Sequence, residues 1–171
     1  MSSWFRRFGF QQVLDGLVVG AYPTDAEDID EIARAHIDVV YNLCEDAEYS
    51  RDEREAVVRA LARRGIEERR LPLVDFGGLA PEALERAVGE LGSELDAGRR
   101  VYLHCRAGWQ RSAAVAAGLV AVRDGVDIEQ ALDLVRDRKP TAEPLEHQRD
   151  ALHEWWRRRR RPRPAKRPPP S

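Results

Sequence analysis

Sulfur is scarce in this chain of 171 residues, which has two cysteines and one methionine. Two cysteines cannot build a disulfide scaffold, and no Cys-x-x-Cys occurs. The four histidines, His36, His104, His147 and His153, are scattered rather than spaced as metal ligands. No metal and no cofactor is expected. Long apolar runs are missing too. The longest, Ala113 to Val122, falls far short of the ~20 residues of a membrane span. No basic N-terminal region leads into an apolar stretch of the secretory kind, so a reducing, cytoplasmic setting is expected. Aromatic residues make up only 7% of the chain. Four of them, Trp4, Phe5, Phe8 and Phe10, crowd the opening segment, which reads as an apolar strap over the body or a partner-binding arm.

What is present fits one soluble globular domain, expected as a monomer over residues 1–156. The chain is 43% apolar and 34% charged. The net charge of −2 hides an asymmetry, because residues 157–171 carry eight Arg or Lys and no acid. This Pro/Arg-rich tail cannot build a core and is expected to be disordered or polyproline-like. It is either a solvated tail or a docking segment for an anionic membrane surface or nucleic acid.

Along the body, apolar runs alternate with helical patterns. Leu17-Val-Val-Gly, Ile37 to Leu43, Ile66 to Leu71 and Val101 to His104 read as strands. Between them, Ile29, Ile32, Ala33 and His36 share a helical face behind an N-cap in Tyr22-Pro-Thr-Asp. Arg51 to Arg64 forms a helix with Gly65 at its C-cap, and Pro81 to Leu95 forms another. Helices over 112–124, 127–138 and roughly 143–159 follow. The expected fold is α/β, with a mainly parallel central sheet of about four to five strands flanked by helices.

The chemistry concentrates in His104-Cys105-Arg106-Ala107-Gly108-Trp109-Gln110-Arg111-Ser112, between a strand and the helix beginning near Ala113. A cysteine at a strand end, an arginine six residues on and a hydroxyl after that form an anion pocket with a nucleophile inside. Backbone N–H groups of Arg106, Ala107, Gly108, Trp109 and Gln110 can point at one phosphate, and the following helix adds free donors and partial positive charge. The Arg111 guanidinium can grip two phosphate oxygens. These neighbours favour Cys105 as thiolate, the nucleophilic form. Ser112 can donate to the departing sulfur, Gly108 lets the loop turn, and His104 reads as a structural hydrogen-bonding group.

Expelling an alkoxide or phenolate also requires an acid. Asp75, in a loop between Pro72 and Gly77-Gly78, lies thirty residues before Cys105. Taken alone, an Asp there is a turn former, and Glu45 and Asp46 compete for the role.

The stretch from His104 to Ser112 resembles the His-Cys-x5-Arg-Ser/Thr signature of the cysteine-based protein phosphatases, most closely the compact dual-specificity branch. Leu17 to Pro23, Val39 to Leu43, Leu71 to Phe76 and Val135 to Pro140 resemble further segments of that family. The resemblance covers about residues 10–156. It implies a metal-independent phosphomonoester hydrolase with Cys105 as nucleophile, Arg111 as phosphate ligand and Asp75 as general acid. Tyr41-Asn-Leu-Cys-Glu resembles the matching segment of the phosphatase-and-tensin-homologue lipid phosphatases, which implies that Cys44 can pair reversibly with Cys105. The lipid phosphatases carry two lysines in the catalytic loop, whereas this loop has Arg106, Trp109 and Gln110. A phosphorylated protein is therefore the first expectation for substrate and a phosphoinositide the second. Further alternatives are an inactive module that binds phosphorylated partners, an RNA 5′-triphosphatase and a rhodanese-type sulfur transferase, although Arg111-Ser112 fits phosphate chemistry better than sulfur transfer.

Overall fold

The buried central strands form where branched and aromatic side chains run together. A computed structural model describes residues 1–161 and contains a five-stranded sheet in the order β1-β2-β5-β3-β4. Strands β2 (Leu17–Gly20), β3 (Val39–Asn42) and β5 (Val101–His104) are buried throughout, as parallel strands covered on both faces must be. β5 lies parallel between β2 and β3, and β4 (Glu67–Arg70) extends the parallel set beyond β3. β4 reads Glu-Glu-Arg-Arg, and a charged edge strand discourages further strand pairing. At the other edge β1 (Phe10–Leu14) runs antiparallel to β2.

Side chains alternate between two cores. Val19, Tyr41 and Leu103 meet α4 (Pro81–Asp96), α5 (Arg111–Asp124), α6 (Ile128–Arg138) and α7 (Glu146–Arg160). Val18, Val40 and Tyr102 face α1 (Ser3–Phe8), α2 (Ala26–Arg34) and α3 (Arg51–Arg64). The helix ends follow their capping residues: Asp25 accepts from Asp28 N at 2.8 Å, Gly65 closes α3 in the left-handed conformation, and Asp127 opens α6 with a capping box. All four parallel strands end on the same side, which gathers the segments after Gly20, Asn42, Arg70 and His104 at one edge.

Three sequence expectations need adjustment. The opening segment packs on the body as a strap would, but as a helix followed by an edge strand. Phe5 packs with Phe10 and Tyr102 at ring separations of 5.6 and 6.3 Å, inside the core. His36 does not extend the face of α2. It lies past the helix end, exposed, at φ 56°. The basic run begins inside α7, which carries Arg157 to Arg160 in its last turn. Residues 162–171, and with them most of the Pro/Arg-rich tail, lie outside the described residues.

Phe5 is 1% exposed, so Phe5→Ala is expected to cost about 3–5 kcal/mol of unfolding free energy. A urea titration with an unchanged slope checks this. A loss below about 1 kcal/mol would mean that α1 is not docked on the sheet.

Candidate active site

Cys105 follows β5, and residues 105–110 join the central strand to α5. The loop is held from outside by its carbonyls. Arg106 O accepts from Tyr22 N at 3.0 Å and from Trp4 Nε1 at 3.2 Å, and Trp109 O accepts from Glu143 N at 2.7 Å. The N–H groups of Arg106 to Arg111 donate to no protein acceptor among the described residues. Gly108 sits at φ 75°, and a Cβ there would lie 2.6 Å from the Gly20 backbone, so any side chain would force the loop off the end of β2. Ser112 Oγ lies 3.2 Å from Cys105 Sγ. Concave donor clusters at a helix N-terminus receive tetrahedral anions.

Arg111, wholly buried, is the hub. Its Nη1 donates to Leu73 O at 2.8 Å and Leu43 O at 3.4 Å, which are carbonyls just past β4 and β3. Glu48 clamps it in a fork, Oε1 on Nη1 and Oε2 on Nη2, both at 2.7 Å. Asp75 Oδ1 lies 2.8 Å from Nη2. Nε has no partner among the described residues. Burial raises the pKa of the Glu48 carboxyl, but the hydrogen bonds and charge of Arg111 outweigh it and hold Glu48 below its ordinary value. Burial also works against the charged guanidinium, and the carboxylate together with Cys105 more than reverses that, keeping Arg111 charged.

The structure thus brings together Cys105, Arg111, Ser112 and Asp75. Glu45 and Asp46 do not join them: Asp46 is exposed and paired with Arg70 at 2.6 Å. Glu48, two residues further on the same 3-10 turn (Asp46–Glu48), is the functional residue that sequence reasoning missed. The Arg106 guanidinium lies over the rings of Trp4 and Tyr22, at 5.4 and 5.6 Å, and donates to Glu48 O. It braces the loop through aromatic faces. Trp109 packs edge-on against Phe8 at 5.1 Å. A cavity of about 580 Å³ above Cys105 is walled by Trp4 and Phe8 of α1, by Trp109, and by Asp75 with Phe76.

Behind the loop, His104 Nδ1 lies 3.2 Å from Cys105 O. Burial pushes this imidazole down to about 4, against that hydrogen bond and the negative charge of Glu68. The ring is therefore neutral near pH 7. Cys44 is fully buried, with Sγ 3.9 Å from His104 Nδ1. Burial, with Glu48 and Cys105 nearby, pushes its thiol well up despite Arg111, so Cys44 stays protonated. Both cysteines are free. Among the described residues, no group of three or more His, Cys, Asp or Glu could hold a metal ion, and no helix is long and apolar enough to cross a membrane.

Because the folded His104 pKa lies below the ordinary value of 6.5, the unfolded chain takes up the proton first as pH falls. Stability is lost from about pH 6.5 downward, by about 2 kcal/mol between pH 7 and pH 5. Urea unfolding of wild type and His104→Asn at the two pH values checks this. The variant should lose that much less on acidification, since carboxylates such as Glu48 titrate mostly below this window. An equal loss in both proteins would assign the acid sensitivity elsewhere.

A family model for the dual specificity phosphatase catalytic domain matches residues 17–158. Dual specificity protein phosphatase 12 of Mus musculus is 39% identical over 59 residues, 34% of this chain and 17% of that protein, so the match spans a small part of that relative. Tk-PTP in its active form superposes with a TM-score of 0.74 at 28% identity, covering 87% of this chain and 97% of that one. PTPMT1 gives 0.75 at 20% identity, over 88% and 95%. Kinase associated phosphatase with its catalytic-site cysteine replaced by serine gives 0.76 at 23%, over 87% and 93%. The last two share the fold. Since the matched domain runs from β2 into α7, the chain belongs to the dual specificity phosphatase catalytic domain family of cysteine-based phosphatases.

Proposed function

We propose that the chain hydrolyses phosphate monoesters of proteins through a cysteinyl-phosphate on Cys105, with phosphotyrosine as the preferred group. The observation that carries this reading is the strand–loop–helix segment itself: Cys105 Sγ lies 3.2 Å from Ser112 Oγ at the start of α5, and the amides of Arg106 to Arg111 and Arg111 Nε have no protein acceptor among the described residues. Free donors of this kind suit the oxygens of a phosphoryl group.

In the first step the Cys105 thiolate attacks phosphorus and an S–P bond forms. The ester P–O bond breaks as Asp75 gives its proton to the leaving oxygen. An incoming phosphate dianion competes with the Asp75 carboxyl for Arg111 Nη2, which frees Asp75 to reach that oxygen. In the second step water attacks phosphorus, Asp75 takes the water's proton and the P–S bond breaks. Phosphate leaves and the thiolate returns, with Ser112 Oγ donating to the departing sulfur. Arg111 and the amides carry the developing charge in both steps, so the cycle calls for no metal.

The aromatic walls of the cavity support an aryl leaving group: Trp4, Phe8 and Trp109 offer flat apolar faces to a phenol ring. The Arg106 guanidinium is held by Trp4, Tyr22 and Glu48 O, so it braces the loop rather than extending toward further phosphates of an inositol ring, which leaves Arg7 as the other cation of the cavity lining. A second reading, a phosphoinositide on a membrane surface, is favoured by the arginines of α7. A PTPMT1 structure in complex with PI(5)P has the same fold.

Hydrolysis of para-nitrophenyl phosphate in EDTA tests the mechanism. Wild type should turn over, Cys105→Ser should be inactive, and Asp75→Asn should be slower by about 10²-fold or more. An active Cys105→Ser protein would refute the nucleophile. A panel of phosphopeptides and phosphoinositide vesicles then ranks the substrates, and a preference for the vesicles would overturn the phosphotyrosine assignment.

A further inference from the structure

Asp75 sits in a tight turn. Gly77 N donates to Val74 O at 3.0 Å, and Phe76, the third residue of the four, has φ 56°. That left-handed region costs a bulky residue about 1 kcal/mol or more. A Cβ on Gly77 would lie 2.8 Å from Val74 Cβ, so the turn is closed tightly on itself. The Phe76 side chain does not hold it, since Phe76 is 66% exposed.

The hold comes from the first turn of α7. His147 Nε2 lies 3.1 Å from both Phe76 O and Gly77 O, and Gln148 Nε2 donates to Gly77 O at 3.1 Å. Gln148 is fully buried and its Oε1 accepts from Leu145 N at 3.2 Å, so its amide is fixed at both ends. An Nε2–H bonds a carbonyl whether the ring is the neutral Nε2–H tautomer or the imidazolium. On the opposite side of the turn, the Asp75 carboxyl meets Arg111.

We infer that His147 and Gln148 are positioning residues that latch the Asp75 turn and so aim its carboxyl at the leaving oxygen. The inference rests on the reading of Asp75 as general acid. The connection from α6 to α7 also holds the other half of the site, through Glu143 N on Trp109 O. One helix start therefore serves both the anion loop and the acid turn. Proton transfer matters most when the leaving group is poor, so a loosened latch separates substrates by leaving group rather than by phosphate affinity.

The test uses the full chain with His147→Ala, Gln148→Leu, the double variant and Asp75→Asn. Turnover is measured on dinitrophenyl, para-nitrophenyl and phenyl phosphate, with inorganic phosphate as inhibitor. The double variant should lose about tenfold or more on phenyl phosphate and less than about threefold on dinitrophenyl phosphate. Phosphate inhibition should be unchanged, and adding Asp75→Asn should cause little further loss. Equal losses on all three esters with weaker phosphate inhibition, or full additivity with Asp75→Asn, would overturn the latch. If Asp75→Asn discriminates among leaving groups and the latch variants do not, the latch alone fails. If Asp75→Asn treats all three alike, the acid reading fails and the latch with it. Should Gln148→Leu not fold, His147→Ala at its exposed position carries the same readout.

Discussion

A guanidinium taken wholly out of water must be matched nearly atom for atom, and the architecture of this site follows from that requirement. Unpaired, a buried charge costs several kcal/mol, and removing one partner of a buried pair typically costs about 3–5 kcal/mol. Arg111 meets the requirement with the forked Glu48 carboxylate, two strand-end carbonyls and Asp75. These partners come from the turn after β3, the segment after β4 and the Asp75 turn. Satisfying one side chain thus fixes three segments against the start of α5. Within that frame Arg111 Nε and the amides of Arg106 to Arg111 keep no protein acceptor among the described residues. On the proposed reading, these are the donors left for substrate.

The titratable groups behind the loop stay uncharged beside the charged Arg111–Glu48 pair. His104 is held neutral by burial, and Cys44 is held protonated by burial beside negative groups. The aromatic series Tyr49, Tyr22, Trp4, Phe8 and Trp109, with successive ring separations between 4.2 and 5.7 Å, links this interior to the cavity mouth. Helix α1 is therefore both a core element, through Phe5, and a wall of the site, through Trp4 and Phe8.

Much of this was legible in the sequence because it rests on local spacing. The buried strands β2, β3 and β5 announced themselves as runs of branched and aromatic residues, the helices through caps such as Asp25, Gly65 and Asp127, and the loop through the fixed interval from Cys105 to Arg111. What escaped depends on long-range pairing. Glu48 follows Glu45 and Asp46 in one acidic run, and no periodicity tells which carboxylate turns inward until a buried arginine selects it. Six-residue α1 is too short for a periodic pattern, and Phe10-Gln-Gln-Val-Leu pairs as an edge strand only once β2 is in place. His147 and Gln148 read as ordinary helix-start residues, since their partners are carbonyls about seventy residues away.

The central claim is that phosphorus is transferred to one sulfur inside this donor cup. Denaturing quench of the Asp75→Asn protein during turnover of dinitrophenyl phosphate, followed by peptide mass spectrometry, addresses it directly. Dinitrophenolate leaves without an acid, while the variant lacks the carboxylate that draws the proton from water, so the intermediate should accumulate. The account predicts a single phosphoryl group on the peptide containing Cys105. Turnover with no phosphoryl-enzyme, or with the phosphoryl group on any other residue, would contradict it.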